Sequence, residues 1–460
     1  MDEKTKILVI GAGPGGYTAA FHLADLGADV TLVDKRGSLG GICLHEGCIP
    51  SKTLLHAAKI LTNVEEAKNF GIEFENPKID IDKLRQKKQE IISKLSSGLD
   101  HLCKKRKINF IEGTVQFVDS NNAEISDKDG AQQTLSFDKA ILATGSSPKK
   151  LDILPESDLI MDSSSALELK DIPETMLIVG GGYIGLELGT VYAKLGSQVS
   201  VVELTDGLLP GVDRDLVRTL ERQLKQDFNS IMLSTKITNC ELIENGVSIT
   251  LEDRDGKTIT ENYQRILVAT GRKPNLDNLE IENTKIKIND AGFIEVDDKK
   301  LTSDTSIYAI GDITKGPMLA HKASHEGYIV AKIINKENVD VQLDAIPAAI
   351  FTDPEIAICG LTENVAKEKG IEIKVSKFMW AASGRASTLD RADGTTKLII
   401  DPKTEQILGA SIVGVYSSEL IAELALAIKV GLKTSDISKT IHVHPTLSET
   451  IMECAQKFYE

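Results

Sequence analysis

Gly11-Ala12-Gly13-Pro14-Gly15-Gly16 is the stretch that indicates the fold of this chain. An apolar run typical of a strand, Lys6 to Ile10, leads into it, and an alanine-rich segment of helical character follows it. A second apolar run, Asp29 to Val33, then ends at Asp34. The order strand, glycine turn, helix, strand, acid is typical of a dinucleotide-binding domain, so we predict an α/β fold that binds a dinucleotide here.

Each glycine of this turn has a role in that interpretation. Gly11 makes the tight turn, Gly13 lets the backbone approach a pyrophosphate, and Gly16 lets the helix pack on the strand. The pyrophosphate then lies at the helix N-terminus, where unpaired N–H groups and the helix dipole favour an anion. Asp34 is expected to accept hydrogen bonds from a ribose hydroxyl.

The same pattern occurs a second time in the chain. The acid follows the first glycine by 23 residues in both copies, from 11 to 34 and from 180 to 203. We therefore predict a second dinucleotide site, formed by Gly180, Gly182, Gly185 and Glu203. The residues after Glu203 are Leu204-Thr205-Asp206, without an arginine for a 2′-phosphate, and this favours NAD over NADP.

Both copies also have Ala-Thr-Gly at the end of a later strand, at residues 143–145 and 269–271. The interval from the acid to that glycine is 111 residues in the first copy (34 to 145) and 68 in the second (203 to 271), so the first copy carries 43 more. A stretch with two cysteines and a helical segment from about Asp82 to Lys105 lie within the longer interval. We interpret this as an internal duplication with a redox element inserted in the first copy, which suggests electron transfer between two cofactors.

The inserted stretch contains Cys43 and Cys48, five positions apart. Residues at that spacing have Cα atoms about 8.6 Å apart in an ideal helix, whereas a disulfide needs less than about 7 Å. A bridge would therefore require a bent backbone, which Gly47 would tolerate. The stretch alone leaves two interpretations open, a redox-active disulfide or two unpaired cysteines on a buried turn. A metal site is not predicted, because no second cysteine-rich motif accompanies the pair.

The last part of the chain carries another candidate group, within Ile441 to Glu449. Pro445 disfavours helical geometry at His444, so we expect this imidazole on a loop. Thr446 to Glu449 matches a helix-capping box, in which Glu449 binds the start of the helix. Alternatively, Glu449 orients His444 as a general base for a thiol. The residues leave both roles open.

Composition restricts the class of protein. A chain of 460 residues is expected to form two to four domains. The net charge of −15 argues against a nucleic-acid or anionic-membrane partner, and the longest apolar run near the C-terminus, around 424–428, is too short to span a membrane. The N-terminal residues match neither a secretory signal nor an arginine-rich transit peptide, so we expect a cytoplasmic protein.

Taken together, these motifs resemble those of the flavin-dependent pyridine nucleotide–disulfide oxidoreductases, most closely the dihydrolipoamide dehydrogenase branch. The resemblance covers essentially the whole chain, and its most specific parts are Gly41 to Lys52 and His442 to Glu449. It implies two dinucleotide-binding (Rossmann-like) domains, a central domain that completes the FAD site and an α+β C-terminal dimerisation domain. The implied bounds are 1–147 for the FAD-binding domain, 148–275 for the NAD-binding domain, 276–346 for the central domain and 347–460 for the dimerisation domain.

The resemblance also implies the site residues. Cys43 and Cys48 would form the redox-active disulfide, and His444, held by Glu449, would be the base. The implied FAD contacts are Gly11, Gly13, Gly16, Asp34, Lys52, Gly113, Thr144, Gly145, Asp312 and Ala320. The implied NAD contacts are Gly180, Gly182, Gly185, Glu187, Glu203, Ala269, Gly271 and Arg272. Lys52 and Glu187 match positions where a Lys–Glu pair would tune the flavin.

The mechanism implied by the resemblance passes electrons from a dithiol to NAD+. His444 takes a proton from dihydrolipoamide, the thiolate attacks Cys43, and Cys48 passes the electrons to FAD, after which NAD+ is reduced. The enzyme would be a homodimer in which the C-terminal histidine reaches into the partner's site. The substrate's lipoyl group would be carried by another protein, a lipoyl domain of a 2-oxoacid dehydrogenase complex or of the glycine cleavage system.

Three residues depart from the usual family pattern. His45 stands where asparagine is usual, Ile42 where threonine is usual, and Asp34 replaces the commoner glutamate. His45 could shift the pKa of the cysteines, but we expect a solvated loop residue. Two alternative functions remain, an NAD(P)H-dependent reductase of another low-molecular-weight disulfide and a non-catalytic subunit of a complex; the intact cysteines and His444 argue against the second.

Overall fold

The computed structural model describes residues 5–342 and 345–460, and the chain divides into two compact units. The first unit comprises Met1–Thr53, Asp80–Lys149 and Gly271–Gln342, and the second comprises Leu54–Ile79, Lys150–Thr270 and Leu343–Glu460. Residues 1–4, which enter the expectation about a secretory signal, lie outside the described residues. Within the described residues, no helix is both long and apolar enough to cross a membrane.

The strands are numbered here in chain order. They are β1 Lys6–Ile10, β2 Asp29–Asp34, β3 Asn109–Phe117, β4 Asn122–Asp127, β5 Gln132–Ser136, β6 Lys139–Leu142, β7 Ser146–Pro148, β8 Ile160–Met161, β9 Thr175–Val179, β10 Gln198–Val202, β11 Ser230–Met232, β12 Lys236–Ile243, β13 Gly246–Glu252, β14 Thr258–Tyr263, β15 Arg265–Val268, β16 Arg272–Pro274, β17 Ile307–Ala309, β18 Ala348–Ile350, β19 Glu355–Gly360, β20 Lys374–Met379, β21 Thr395–Ile400 and β22 Ile407–Gly414.

The helices are numbered in the same way. They are α1 Pro14–Asp25, α2 Gly41–Glu46, α3 Cys48–Glu66, α4 Ile81–Lys105, α5 Ser163–Glu168, α6 Tyr183–Leu195, α7 Arg214–Asp227, α8 Ala320–Ile334, α9 Glu363–Lys369, α10 Gly384–Thr388, α11 Ser417–Val430, α12 Thr434–Ser438 and α13 Glu449–Gln456. Short 3-10 turns occur at Ala67–Phe70, Ile281–Asn283, Gly311–Ile313, Trp380–Ala382 and Lys457–Tyr459.

The first unit is built on a seven-stranded sheet in the order β17-β6-β1-β2-β3-β4-β5. The five strands from β17 to β3 are parallel, and β4 and β5 continue as an antiparallel meander. Strand β3 changes partner along its length, pairing with β2 up to Glu112 and with β4 from Gly113. A Cβ on Gly113 would lie 2.4 Å from the Ser126 carbonyl oxygen, so this crossing requires glycine.

The second unit repeats this plan with a parallel sheet in the order β11-β10-β9-β15-β8 and an antiparallel meander, β12-β13-β14. Between β2 and β3 the first copy carries α2, α3 and α4, where the second copy has α7 between β10 and β11. The duplication with an insertion in the first copy, predicted from the two intervals, is therefore confirmed. Parallel strands buried on both faces explain why β1, β9 and β15 read as nearly continuous apolar runs.

The C-terminal part of the second unit is α+β, as predicted. Its antiparallel sheet has the order β18-β19-β22-β21-β20. A core around Trp380, Leu398, Ile412 and Leu424 joins this sheet to α11 and α13.

A buried ion cluster connects β21 to the start of α7 and α9 within the second unit. The side chain of Lys397 is fully buried, and its Nζ donates to Asp213 Oδ2 at 2.6 Å, Asp215 Oδ1 at 2.9 Å and Glu363 Oε1 at 2.9 Å. Burial opposes the charge, yet these carboxylates raise the pKa of Lys397 above its ordinary value. The three carboxylates could hold a metal ion by their spacing, but the lysine ammonium already binds all three.

Replacing Lys397 by methionine is expected to destabilise the protein by about 3 to 5 kcal/mol, because it removes one partner from a buried charge cluster. Chemical unfolding of the holoenzyme followed by circular dichroism measures the loss. The control is Lys403→Met, which removes an exposed ion pair with Glu372 and should cost less than about 1 kcal/mol. Equal stability of the two variants would contradict a role for the cluster.

Candidate active site

The two cysteines lie on two successive helices separated by a single residue. Cys43 is in α2, which ends at Glu46, and Cys48 is the first residue of α3. Gly47 between them has φ −142° and ψ −110°, which breaks the helix. The bent backbone predicted at Gly47 is therefore confirmed.

Cys43 and Cys48 lie close enough for their side chains to interact by a hydrogen bond. The hydrogen bond from Cys48 and burial raise the pKa of Cys43 strongly, and the positive charge of Lys52, one turn further along α3, opposes them weakly. Burial and the two nearby sulfurs also raise the pKa of Tyr17. The two cysteines are neighbours, as a disulfide requires, and the disulfide itself stays a prediction.

The helix that carries Cys43 begins against the first glycine turn. A Cβ on Gly41 would lie 2.6 Å from Gly13 Cα, and the Gly40 N–H donates to the Ala12 carbonyl at 2.8 Å. Only a glycine at position 41 allows the two backbones to approach in this way. The first nucleotide turn and the dithiol are therefore parts of one site.

The expectation for His45 is wrong. This residue belongs to α2, is half-buried, and donates from Nε2 to the Leu39 carbonyl at 2.9 Å, with Ser38 Oγ at 3.3 Å. The physical reason is that α2 turns back over the residues that precede it, and an imidazole is long enough to reach their carbonyl groups. His45 is not among the groups that shift the pKa of Cys43, and its hydrogen bonds anchor α2.

His444 lies on a loop, as predicted, with its side chain 80% exposed. Its Nδ1 is 2.9 Å from Glu449 Oε1. A hydrogen bond from the Thr446 N–H, followed by weaker contributions from His444, lowers the pKa of Glu449, so this carboxylate is ionised and can only accept. Nδ1 must therefore carry a proton, and in the neutral imidazole the acceptor is then Nε2, which is exposed and has no partner among the described residues. This is the tautomer that a general base requires.

Glu449 makes the hydrogen bonds that both interpretations require, although the capping box is incomplete. Its Oε2 accepts from the Thr446 N–H at 2.8 Å, which is the backbone half of the motif. Helix α13 begins at Glu449 itself, however, and Thr446 Oγ1 donates to the Val443 carbonyl at 2.7 Å. The capping box is therefore met only in its backbone half, because the residues after Pro445 form a turn before the helix begins.

The two glycine turns have the same local geometry. Gly11 and Gly180 have φ of +98° and +109°, a left-handed conformation that favours glycine. A Cβ on Gly16 would lie 1.8 Å from the Gly11 carbonyl oxygen, and one on Gly185 would lie 2.3 Å from that of Gly180. Both helices can therefore pack onto their strands only because these positions are glycine.

In both copies, the acid at the end of the second strand accepts a hydrogen bond from the backbone of the glycine turn. Asp34 Oδ2 accepts from the Ala12 N–H at 2.7 Å, and Glu203 Oε2 accepts from the Gly181 N–H at 2.6 Å. Glu203 Oε1 also accepts from the N–H and Oγ1 of Thr205, both at 2.8 Å. Each acid thus links its strand to the glycine turn, beside the position expected for a ribose.

The helix N-termini of both turns fit a pyrophosphate. Gly13 and Gly182 are the N-cap residues of α1 and α6, and within the described part of the chain no side chain caps either helix. A Cβ on Gly182 would meet no atom within 4 Å. Backbone N–H groups that no side chain caps, at the positive end of a helix dipole, are the donor set that an anion needs.

The Ala-Thr-Gly segments lie beside the glycine turns in both copies. A Cβ on Gly11 would meet the Ala143 carbonyl oxygen at 2.4 Å, and a Cβ on Gly180 would meet that of Ala269 at 2.6 Å. In the first unit, Thr144 Oγ1 donates to the Asn275 carbonyl at 2.7 Å, and the Asn275 N–H donates to the Gly145 carbonyl at 2.9 Å.

Asp312 is held by a chain of hydrogen bonds that sequence reasoning missed. Ser146 Oγ donates to Asp312 Oδ2 at 2.6 Å and accepts from Arg272 Nε at 2.7 Å. Ser146 is buried, and Arg272 Nη2 also donates to its carbonyl at 2.6 Å. Arg272, predicted as an NAD contact, thus lies in the first unit. It binds Ser146, which in turn donates to Asp312, the acid expected at the flavin. No signal in the sequence joins residues 146, 272 and 312.

The remaining predicted residues have the following positions. Lys52 is in α3, and Ala320 is the first residue of α8. Glu187 is buried in α6, where Oε1 accepts from the Phe351 N–H at 2.9 Å. Gly271 has φ +133° and belongs to the first unit.

Comparisons with known proteins agree with this geometry. Residues 5–327 match the family model described as "Pyridine nucleotide-disulphide oxidoreductase", and residues 346–455 match the dimerisation domain of the same family. The chain belongs to the pyridine nucleotide-disulphide oxidoreductases. This family membership confirms the α/β fold class with two nucleotide-binding domains, an oxidoreductase activity, and FAD and NAD as the cofactors.

Relatives of this oxidoreductase match over its full length. The dihydrolipoyl dehydrogenase of Vibrio cholerae is 44% identical over 99% of this chain and 96% of the relative, and that of Haemophilus influenzae is 43% identical over 99% and 95%. Among solved structures, LpdA from Mycobacterium tuberculosis superposes with a TM-score of 0.92 at 26% identity, covering 99% of both chains. The HOCl-induced flavoprotein disulfide reductase RclA from Escherichia coli superposes with a TM-score of 0.87 at 28% identity, again covering 99% of both chains.

Proposed function

We propose that this oxidoreductase is a dihydrolipoyl dehydrogenase of the cytoplasm, which oxidises protein-bound dihydrolipoamide and reduces NAD+ to NADH. The observation that carries the proposal is the His444–Glu449 pair, in which Glu449 binds Nδ1 and leaves Nε2 exposed. A base of this kind is needed to make a thiolate from a dithiol substrate, because the thiolate is the nucleophile of disulfide exchange. The full-length relatives that bear this name support the choice of substrate.

The proposed reaction begins with proton transfer to His444 Nε2 from one thiol of dihydrolipoamide. The resulting thiolate attacks Cys43 Sγ of the oxidised pair, the Cys43–Cys48 bond breaks, and Cys48 leaves as a thiolate. The second lipoyl thiol then attacks the mixed disulfide, which releases lipoamide and leaves the two electrons on the reduced Cys43–Cys48 pair. Glu449 holds the imidazole in the required tautomer and stabilises its protonated form.

Bound FAD would supply the two-electron redox chemistry that connects the dithiol with NAD+. The first glycine turn would hold the FAD through Gly11, Gly13, Gly16 and Asp34. The cofactor would lie beside the cysteines because Gly41, at the start of the cysteine helix, contacts Gly13. The second turn, with Gly180, Gly182, Gly185 and Glu203, would hold NAD+. The bounds 1–147, 148–275, 276–346 and 347–460 remain our proposal for the domains.

The dimerisation domain supports a homodimer, in which we propose that His444 of one subunit serves the cysteines of the other. We propose a lipoyl domain of a 2-oxoacid dehydrogenase complex or of the glycine cleavage system as the electron donor. Initial rates of the purified holoenzyme with dihydrolipoamide and either NAD+ or NADP+ test the function. Rapid NADH formation with a strong preference for NAD+ is expected. Inactivity with lipoamide, together with NADH-driven reduction of another disulfide, would move the chain to the disulfide reductases, the class to which RclA belongs.

Replacing Glu203 by alanine is expected to raise the KM for NAD+ about 10- to 100-fold, because hydrogen bonds to a charged acceptor are lost. FAD content should stay at one per subunit. Asp206→Ala, which changes an exposed acid three residues further on, is the matched control and should leave KM within twofold. Loss of FAD with an unchanged KM for NAD+ would mean that the two nucleotide sites are assigned in reverse.

A further inference from the structure

Helix α8 carries two buried charged residues that the proposed mechanism does not use. Glu326 is fully buried, and Lys322, one turn before it, is only 3% exposed. Glu326 Oε1 forms ion pairs with Lys322 Nζ at 3.2 Å and with Lys300 Nζ at 3.0 Å. Burying charges is costly, and apolar residues of similar size would often be as stable in such a place. The cluster therefore calls for an explanation beyond stability.

Both residues bind the backbone of Gly311, at the turn that carries Asp312. The Gly311 N–H donates to Glu326 Oε2 at 2.7 Å, and the Gly311 carbonyl accepts from Lys322 Nζ at 3.1 Å. Lys322 Nζ also lies 3.3 Å from Thr314 Oγ1, on the other side of the turn. Gly311 has φ +73°, a left-handed conformation that glycine adopts readily. The cluster thus fixes the backbone on both sides of this residue.

The same helix is fixed to the first nucleotide turn. A Cβ on Gly327 would lie 2.4 Å from the Gly15 carbonyl oxygen, so α8 crosses α1 in backbone contact. Ala320, the first residue of α8, is itself a predicted FAD contact. One rigid helix therefore links the turn expected at the pyrophosphate to the Gly311–Asp312 turn.

We infer that Lys322 and Glu326 are positioning residues, which clamp the backbone on both sides of Gly311 so that Asp312 meets the FAD. The inference rests on the proposed function in one respect, the contact between Asp312 and FAD. The clamp acts on the backbone of the turn, whereas Ser146 and Arg272 act on the Asp312 side chain. Together they hold the carboxylate from two sides.

The test measures FAD affinity from flavin fluorescence on serial dilution of the holoenzyme, together with the visible absorption spectrum of the bound flavin. Lys322→Met removes the donor to the Gly311 carbonyl and is expected to weaken FAD binding at least tenfold and to shift the flavin absorption bands. Glu326→Gln keeps an oxygen for the Gly311 N–H and should weaken binding less than Glu326→Leu. The matched control, Lys332→Met on the same helix, removes a partly exposed ion pair with Glu337 and should change neither quantity.

A lowered unfolding temperature in Lys322→Met, with FAD affinity within twofold and an unchanged spectrum, would overturn the inference and leave a structural role. If Lys322→Met does not fold, the comparison of Glu326→Gln with Glu326→Leu decides, and equal FAD affinity of that pair overturns the clamp. Asp312→Asn separates the two claims. If it weakens FAD and Lys322→Met does not, only the clamp fails; if it leaves FAD unchanged, the proposed flavin contact fails and the inference with it.

Discussion

Replacing Cys43 by serine is expected to abolish lipoamide turnover, with a loss of at least about a thousandfold, while FAD stays bound. A serine hydroxyl cannot form the mixed disulfide with the substrate, so exchange has no acceptor. The nucleotide turn is untouched, because Gly41, not Cys43, makes the close contact with Gly13. Steady-state NADH formation and the flavin to protein ratio measure the two quantities.

The matched control for this variant is Cys240→Ser, which changes a half-buried cysteine on β12. We expect its turnover to stay within twofold of the unmodified enzyme. Lipoamide turnover retained in Cys43→Ser would remove the cysteine pair from the mechanism. Loss of FAD from this variant would mean that the cysteine helix is needed mainly to build the nucleotide site.

Replacing His444 by glutamine is expected to lower lipoamide turnover by about 100- to 10,000-fold, the usual contribution of a general base. Glutamine can still donate to Glu449 but has no acceptor of comparable basicity in place of Nε2. The reduction of the flavin by NADH does not involve the lipoyl thiol, so rapid mixing with NADH should give an unchanged rate. His101→Gln, on the exposed face of α4, is the control for a histidine change in general.

Equal losses in both half-reactions of His444→Gln would indicate that the residue is structural. The role of Glu449 makes a further distinction. Because its pKa lies below the ordinary value, it stays ionised on mild acidification, and the hydrogen bond to Nδ1 persists. Replacing Glu449 therefore tests the tautomer of His444 directly. Glu449→Gln should reduce the rate of the lipoamide half-reaction and leave the reduction of the flavin by NADH unchanged.

The parts of the fold that the sequence predicts are those in which a local conformation requires a particular residue type. The glycine turns, the uncapped helix ends and the acid 23 residues after the first glycine are of this kind. The bend at Gly47 follows from the same reasoning, since two cysteines five apart cannot pair along a helix. The position of His444 follows from Pro445.

The parts that could not be predicted depend on partners far apart in the chain. Ser146, Arg272 and Asp312 are brought together by pairing of β7 with β16 and by the turn after β17. Lys397 meets Asp213 across 184 residues. The prediction of a solvated loop residue at His45 failed for a different reason. The segment is the helix Gly41–Glu46, and the His45 side chain reaches back to the Leu39 carbonyl. In each case the missing information is tertiary, and neither spacing nor periodicity contains it.

The measurement that tests the central claim most directly is the alkylation state of Cys43 and Cys48, determined by peptide mass spectrometry before and after one equivalent of dihydrolipoamide. The oxidised holoenzyme should resist iodoacetamide at both cysteines, because they form a disulfide. After reduction, and without NAD+, both should become alkylated; addition of NAD+ before iodoacetamide should restore protection with formation of one NADH. Alkylation of both cysteines before reduction, or protection that dihydrolipoamide does not remove, would contradict the account.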